Sequence, residues 1–325
     1  MRYFITGGAG FIGSHLSESL LKEGHDVVTI DNFCDYYDVA IKKNNLECVK
    51  DTAKKAGAKY EFFEGDIRNA DDLSPVFNSK VDVVVHLAAM AGVRPSIENE
   101  QLYWDVNIMG TRNLLEQCQK QEVSKVVFIS SSSIYGNNPS VPFKTTDKVD
   151  APISPYAATK KAGELLCHTY YHLHDMNIVC LRLFTVFGPR QRPDLAINKF
   201  TRNILNDEPI TLYGDGSTSR DYTYVMDIVQ GIKKAAEWIN TGEHRFGVFN
   251  IGGDEPINLL RMVKTIENKI GSKAKIEYLP MQPGDVERTC ADITESTRVL
   301  GYKPETSFEE GISNFVDWYK KETFK

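Results

Sequence analysis

Tyr156 and Lys160 stand four residues apart in a stretch patterned as a helix, Tyr156–His174, so they share one face. A phenol with an ordinary pKa of about 10 is a poor base at neutral pH. A nearby ammonium and a second positive charge both favour the phenolate. Bringing it to about 7 takes roughly 4 kcal/mol of differential stabilisation, which two cations in a site of reduced dielectric can supply. Alone, the pair also reads as a surface contact in a chain with 15 tyrosines. Its setting adds weight. Ser130-Ser131-Ser132-Ser133-Ile134-Tyr135-Gly136 closes an apolar run at Lys125–Ser130, and hydroxyls at a strand end can bond a substrate hydroxyl and share its proton with the phenol. Taken by itself, a serine run is a hydrophilic loop.

A second constellation opens the chain. Tyr3-Phe4-Ile5 runs into Thr6-Gly7-Gly8-Ala9-Gly10-Phe11-Ile12-Gly13, and a helix follows at Leu16–Glu23. Glycines let backbone N–H groups close on a pyrophosphate while the helix N-terminus adds positive partial charge. Val27-Val28-Thr29-Ile30 reads as the next strand, with Asp31 at its end, 18 residues beyond Gly13. A carboxylate there suits the ribose hydroxyls of NAD and repels the 2′-phosphate of NADP.

The elements that must position these groups alternate through the first half. Strand patterns at Lys59–Phe63, Val81–Leu87, Lys125–Ser130 and Ile178–Phe184 are separated by helical patterns, notably Gln101–Lys120 and Tyr156–His174. Near-continuous apolar strands between helices predict an α/β fold, a doubly wound parallel sheet covered on both faces. Val39–Gly57 is lysine-rich yet apolar enough to be helical. Beyond Phe184 polar turns crowd Gly188–Asp194, Tyr213–Asp221 and Gly252–Pro256, and Val248–Ile251 reads as one more strand of the main sheet. The expected division is 1–184 with about 222–254 as the dinucleotide domain, and 185–221 with 255–325 as a smaller C-terminal substrate lobe.

Composition narrows the partners. With 325 residues and a net charge of −6, the chain has no field for nucleic acid or an anionic membrane. Six scattered cysteines without a C-x-x-C favour reduced thiols, a cytoplasmic setting and no metal. No apolar run approaches the roughly 18 residues of a membrane span, and a strand beginning at residue 2 leaves no room for a leader.

These motifs, in this order, resemble the extended short-chain dehydrogenase/reductase family over nearly the full length. The residues that carry the likeness are Thr6–Gly13, Asp31-Asn32, Gly65-Asp66-Ile67, His86-Leu87-Ala88-Ala89, Asn107, Ser130–Gly136, Tyr156 with Lys160, and Arg182-Leu183-Phe184. The resemblance implies a Rossmann domain holding NAD through Gly7, Gly10, Phe11, Ile12, Gly13, Asp31, Asn32, Asp66, Ile67, Leu87, Ala88, Ala89, Asn107, Ser130, Tyr156, Lys160 and Phe184. It implies Ser131, Tyr156 and Lys160 as the catalytic group, and a homodimer built on the two long helices. For Asn107 the alternative is a helix asparagine facing solvent.

Members that eliminate water need an Asp-Glu pair after the catalytic hydroxyl, and related decarboxylases usually carry a glutamate nearby. Here Ser132 and Ser133 follow, which deliver no proton near neutral pH. What remains is hydride movement: oxidation of a sugar at C4, rotation of the flat 4-keto intermediate, and return of hydride to its other face. Tyr213–Asp221 resembles the family's diphosphate-binding loop, with Arg220 on the phosphates of a UDP-sugar, and Asp285 and Arg288 resemble the segment that grips the nucleotide. Gln282 stands where simpler epimerases tend to carry an arginine. Phe187-Gly188-Pro189-Arg190-Gln191-Arg192-Pro193-Asp194 points to an acidic sugar, because a C6 carboxylate suits a planar guanidinium fork. Arg192 is the expected fork, with Thr185, Ser132 and Ser133 adding hydroxyl contacts; the alternative for Arg190 and Arg192 is a solvated loop pair or phosphate contacts. The expected reaction is conversion of UDP-glucuronate to UDP-galacturonate. Its rivals are the UDP-glucose/UDP-galactose pair, a reductase or dehydrogenase using free NAD(H), and a non-catalytic nucleotide-binding protein.

Overall fold

The computed structural model describes residues 1–280 and 287–323. Its strands are β1 (Arg2–Thr6), β2 (Asp26–Asp31), β3 (Tyr60–Glu64), β4 (Val83–His86), β5 (Lys125–Ser131), β6 (Asn177–Leu183), β7 (Thr185–Phe187), β8 (Pro209–Tyr213), β9 (Ser219–Tyr224), β10 (Phe246–Ile251), β11 (Pro256–Asn258) and β12 (Lys275–Leu279). The helices of the first half are α1 (Phe11–Lys22), α2 (Val39–Ala56), α3 (Ala70–Leu73), α4 (Val93–Glu98), α5 (Glu100–Trp104), α6 (Thr111–Lys120) and α7 (Pro155–His174). Those of the second half are α8 (Ala196–Leu205), α9 (Val225–Asn240), α10 (Leu259–Ile270) and α11 (Phe308–Thr323).

Seven strands form one parallel sheet in the order β10-β6-β5-β4-β1-β2-β3. The fold is therefore the doubly wound α/β sheet that the apolar strand runs predict. Alternation sorts its side chains between two cores. Tyr3, Ile5, Val83, Val85 and Val127 face α1, α2 and α9, whereas Phe4, Val84, Val126 and Phe128 face α6 and α7. The chain order reverses between β1 and β4, and such a reversal opens a crevice at the carboxyl ends of the strands. The glycine turn, the Leu87–Ala89 segment and the serine run all leave strands at that edge.

The stretch 39–57 is an ordered helix, α2, with Asp38 accepting from Ala40 N–H as its cap and Gly57 closing it in the left-handed region. It buries Lys42, Asn45, Leu46, Val49 and Ala53 along one stripe. The helix expected at Gln101–Lys120 is continuous but changes winding: Asp105–Gly110 forms a π turn between α5 and α6. Beyond β6 the polar turns conceal strands. β7, β9 and β11 make a three-stranded sheet and β8 pairs with β12. Phe187, Ile197, Phe200, Leu212, Met262 and Phe315 form a separate core there.

Helix α7 lies close on β5 because Gly163 has no side chain: a Cβ there would sit 2.4 Å from Phe128 Cζ. The Phe128 ring is itself confined by His86 and by the Lys160 ammonium, 5.4 Å from its centroid. Gly163→Ala is therefore expected to cost about 1–3 kcal/mol by overpacking, read as a lower midpoint in urea; an unchanged midpoint would contradict this packing.

Candidate active site

Local sequence explains how each functional side chain reaches the crevice. Ser154 caps α7 by accepting from Ala157 N–H at 3.1 Å, and Pro155 takes the first helical position, where its missing N–H costs nothing. Tyr156 follows at once, in the first turn, where the helix dipole favours a phenolate. Ser131 ends β5 and caps the short turn Ser132–Tyr135; its hydroxyl accepts from Ser133 N–H at 3.2 Å and donates to the Ser133 hydroxyl at 3.1 Å.

The glycine turn is built by close approach. Gly7 has φ +72°, and a Cβ on Gly13 would stand 2.2 Å from Gly7 O. No side chain among the described residues caps Gly10, so the first N–H groups of α1 face the crevice. Asp31 braces this turn as well as facing it. Its carboxylate accepts from Ala9 N–H at 3.2 Å and from Phe33 N–H at 3.0 Å, with Lys42 Nζ 4.0 Å away. Burial raises its pKa, and Lys42 and the two N–H donors oppose that. His86 anchors the next wall segment. Thr111 donates to Asn107 O, which leaves His86 Nε2–H to donate to Thr111 and Nδ1 to accept from Thr6 at 2.7 Å. Thr6 in turn accepts from Ala88 N–H at 3.0 Å.

One cavity of about 470 Å³ runs along the crevice. Its wall includes Gly7, Gly10, Phe11, Ile12, Gly13, Asp31, Asn32, Asp66, Ile67, Leu87, Ala88, Ala89 and Phe184. Ser131, Ser132, Ser133, Tyr156, Thr185 and Arg192 line it as well. Burial raises the Tyr156 pKa, while the Ser131 hydroxyl and the Arg192 guanidinium pull it down. Lys160 is not among the residues that line the cavity. Its ammonium is buried behind the wall, donates to Ile129 O at 2.8 Å, and has its own pKa lowered to about 8 by burial.

Two further residues expected at the cofactor stand behind the wall. Asn107, turned inward by the π turn, exchanges hydrogen bonds with the backbone of Met90 (2.8 and 3.0 Å) and donates to Thr159 at 3.0 Å. Ser130 donates to Glu164 at 2.7 Å, and Glu164 pairs bidentately with Arg182 in the core. Arg220 and Arg288 also lie outside the cavity wall. Arg220 donates to Ser219 O at 2.9 Å, and the segments meet through a backbone bridge between Ser219 and Arg288. Gln282 and Asp285 lie outside the described residues. The guanidinium of Arg192 sits 4.9 Å from the Tyr36 ring centroid. Its Nε and Nη2 donate to Asp194 at 3.0 and 2.7 Å. The side-on edge of the fork is therefore taken by a carboxylate of the same loop, and Tyr36 also bonds the guanidinium.

Sequence reasoning noticed Asp35-Tyr36-Tyr37-Asp38 as a motif but gave no site role to Tyr36 or Tyr37, nor to Lys42, Arg68 and Met90, which also line this wall. The spacing of Lys42, Asn45, Val49 and Ala53 along one face of α2 was the available signal for Lys42. It donates to Cys34 O at 2.8 Å and lies 5.0 Å from the Tyr37 ring centroid. Arg68 grips Asp66 through Nε and Nη2, which helps hold that carboxyl at about 2.

The loop before Arg192 is fastened to α1: His15 Nε2 donates to Pro189 O at 2.9 Å. Burial, then Arg190, lower the His15 pKa from 6.5 to about 4. A depressed histidine contributes stability that is complete above about 6.5 and lost as pH falls towards 4, here on the order of 3 kcal/mol. Asp221 has the opposite sign. Burial pushes it up to about 6, so acidification through that range relieves it. His15→Gln, which keeps a donor for Pro189 O, is expected to lose less stability than the parent between pH 6.5 and 4 in urea titrations. Equal losses would contradict the assignment.

A model of the NAD dependent epimerase/dehydratase family matches residues 3–252. Protein CapI of Staphylococcus aureus is 44% identical over 98% of this chain and 98% of its own length. A UDP-glucuronate 4-epimerase of Thermodesulfobacterium geofontis is 43% identical over 98% of this chain and 96% of that protein. The solved structure of UDP-glucuronic acid 4-epimerase from Bacillus cereus, in complex with UDP-glucuronic acid and NAD, matches at a TM-score of 0.90 and 37% identity, covering 99% of this chain and 100% of that one.

Proposed function

Because the chain belongs to the NAD dependent epimerase/dehydratase family, we propose that it inverts UDP-glucuronate at C4 to give UDP-galacturonate. The observation that carries this reading is the meeting of Tyr156, Ser131 and Arg192 in one cavity with the glycine turn. The turn fits a dinucleotide: a Cβ on Gly13 would collide with Gly7 O, so glycine there lets α1 start close against the turn with its N-terminus towards a pyrophosphate. Gly7, Gly10–Gly13, Asp31, Asn32, Asp66, Ile67, Leu87–Ala89 and Phe184 hold NAD, with Asn107, Ser130 and Lys160 supporting the wall from behind. When bound, NAD would supply a reversible hydride acceptor for C4.

The chain's own groups handle the proton and the geometry. Tyr156 takes the proton from the sugar O4 and gives it back, and Ser131 shares that proton by hydrogen bonding. Arg192 meets the C6 carboxylate, with Ser132, Ser133 and Thr185 adding hydroxyl contacts. The intermediate is a β-keto acid, prone to lose CO₂, and a clamped carboxylate is held away from the orientation that cleavage needs. Arg220 and Arg288 grip the diphosphate, and Asp285 completes that segment.

The lobes follow as 1–184 with about 222–254 for the cofactor and 185–221 with 255–325 for the sugar nucleotide, in keeping with the separate apolar core around Phe187 and Phe315. Exposed Leu165 and Leu173 on α7, with Met109 on the adjoining π turn, form the face that a second copy covers in a homodimer. Six free cysteines accord with a cytoplasmic enzyme. Among the described residues no helix is long and apolar enough to cross a membrane.

The test is to incubate the protein separately with UDP-glucuronate and UDP-glucose and analyse the sugars. UDP-galacturonate from the first supports the reading. Turnover of UDP-glucose alone, accumulation of NADH, or no product from either with NAD bound would each replace it with one of the rival activities.

A further inference from the structure

The loop that carries Arg192 is tied to the helix that faces the dinucleotide, through residues with no part in the proposed chemistry. Gln191 N–H closes a turn on Gly188 O at 3.1 Å. Besides the His15 bond to Pro189 O, Arg190 Nη2 donates to Glu18 at 2.7 Å, with both side chains largely buried. His15 and Glu18 lie three apart on one face of α1, and the His15 ring meets Phe11, a cavity residue, at 6.0 Å. On the other side Gln191 O accepts from Asn198 of α8 at 2.7 Å.

Arg190 has φ +65°, a left-handed backbone that a residue with a Cβ adopts at a cost of about 1–2 kcal/mol. That turn sends Arg190 towards α1 and Arg192 into the cavity. Among the described residues, Arg190 Nη1 is buried without a hydrogen-bond partner. A strained backbone and an unsatisfied donor are poor choices for stability alone, and they persist where the surroundings need one particular geometry.

We propose that Arg190 is a positioning residue: gripped by Glu18, it seats the 188–194 loop on α1 so that Arg192 meets the sugar carboxylate. It thereby sets the preference for an acidic sugar nucleotide. The inference deepens the UDP-glucuronate reading and rests on it.

The experiment compares the full-length, NAD-loaded enzyme with Arg190→Met, Arg190→Lys and Glu18→Gln. The readouts are KM and kcat for UDP-glucuronate, and the inhibition constant of UDP, which has no sugar carboxylate. Arg190→Met is expected to raise KM at least about tenfold, the size of losing one charge-assisted contact. The UDP constant should stay within about threefold, and Arg190→Lys should recover part of the KM. Glu18→Gln keeps the shape of the contact and should shift KM in the same direction, which preserves the test if the methionine variant does not fold. An unchanged KM in a folded variant, or an equal loss for UDP, would overturn the inference. A parent enzyme inactive on UDP-glucuronate would instead remove the functional reading beneath it.

Discussion

Tyr156→Phe is expected to bind sugar nucleotide as the parent does while losing about 10²- to 10⁴-fold in kcat, the span typical of removing a general acid–base. Phenylalanine keeps the ring that packs edge-on against Tyr103 at 6.2 Å, so the loss should fall on proton transfer. Steady-state rates on UDP-glucuronate, with binding measured separately by calorimetry, separate the two. A variant that inverts the sugar at the parent rate would exclude the phenol as the base. Burial raises the Tyr156 pKa, and the Ser131 hydroxyl and the Arg192 guanidinium oppose it.

Arg192→Ala is the second large effect. Losing a buried guanidinium that meets an anion costs about 2–5 kcal/mol, because the partner charge is left unpaired. UDP-glucuronate kcat/KM should therefore fall by roughly 30- to 10³-fold or more. Turnover that survives should show a larger fraction of UDP-pentose, since a free carboxylate on the 4-keto sugar can adopt the orientation for CO₂ loss. Product analysis by liquid chromatography and mass spectrometry reads both. Clean inversion at the parent efficiency would mean that Asp194, which already holds the Nε and Nη2 donors, keeps Arg192 from acting on the sugar at all.

The fold was legible where local chemistry leaves one outcome. Apolar strands β1, β4 and β5 between helical patterns admit little besides a parallel sheet covered on both faces. Spacing along the chain fixes which face a residue takes but leaves its depth open. Lys160 and Tyr156 share a face of α7, yet only Tyr156 reaches the cavity, because Lys160 sits one turn deeper under Ile129 O. Asn107 sits behind the wall for a reason that periodicity does not carry, a π turn that rotates it onto Met90 and Thr159.

The small sheet was illegible for another reason. In β9 the residues facing inward are Asp221 and Thr223, and backbone N–H groups of Gly253, Asp254 and Ala291 satisfy the Asp221 carboxylate. Tyr222 and Tyr224 alternate with these and pack against Phe187, but a buried carboxylate held by backbone donors reads in sequence as part of a polar turn. Tyr36 and Tyr37 lie in the turn just before the Asp38 cap and Lys42 in the first turn of α2, and the chain's passage from β2 into α2 brings all three to the wall.

The most direct test of the account is the fate of the hydrogen at C4. UDP-glucuronate deuterated at C4, incubated with the enzyme in ordinary water, should give UDP-galacturonate that keeps the deuterium at C4, read by NMR and mass. Deuterium lost to solvent would mean that inversion proceeds by proton exchange, and the reaction built on Tyr156 and a returned hydride would be wrong.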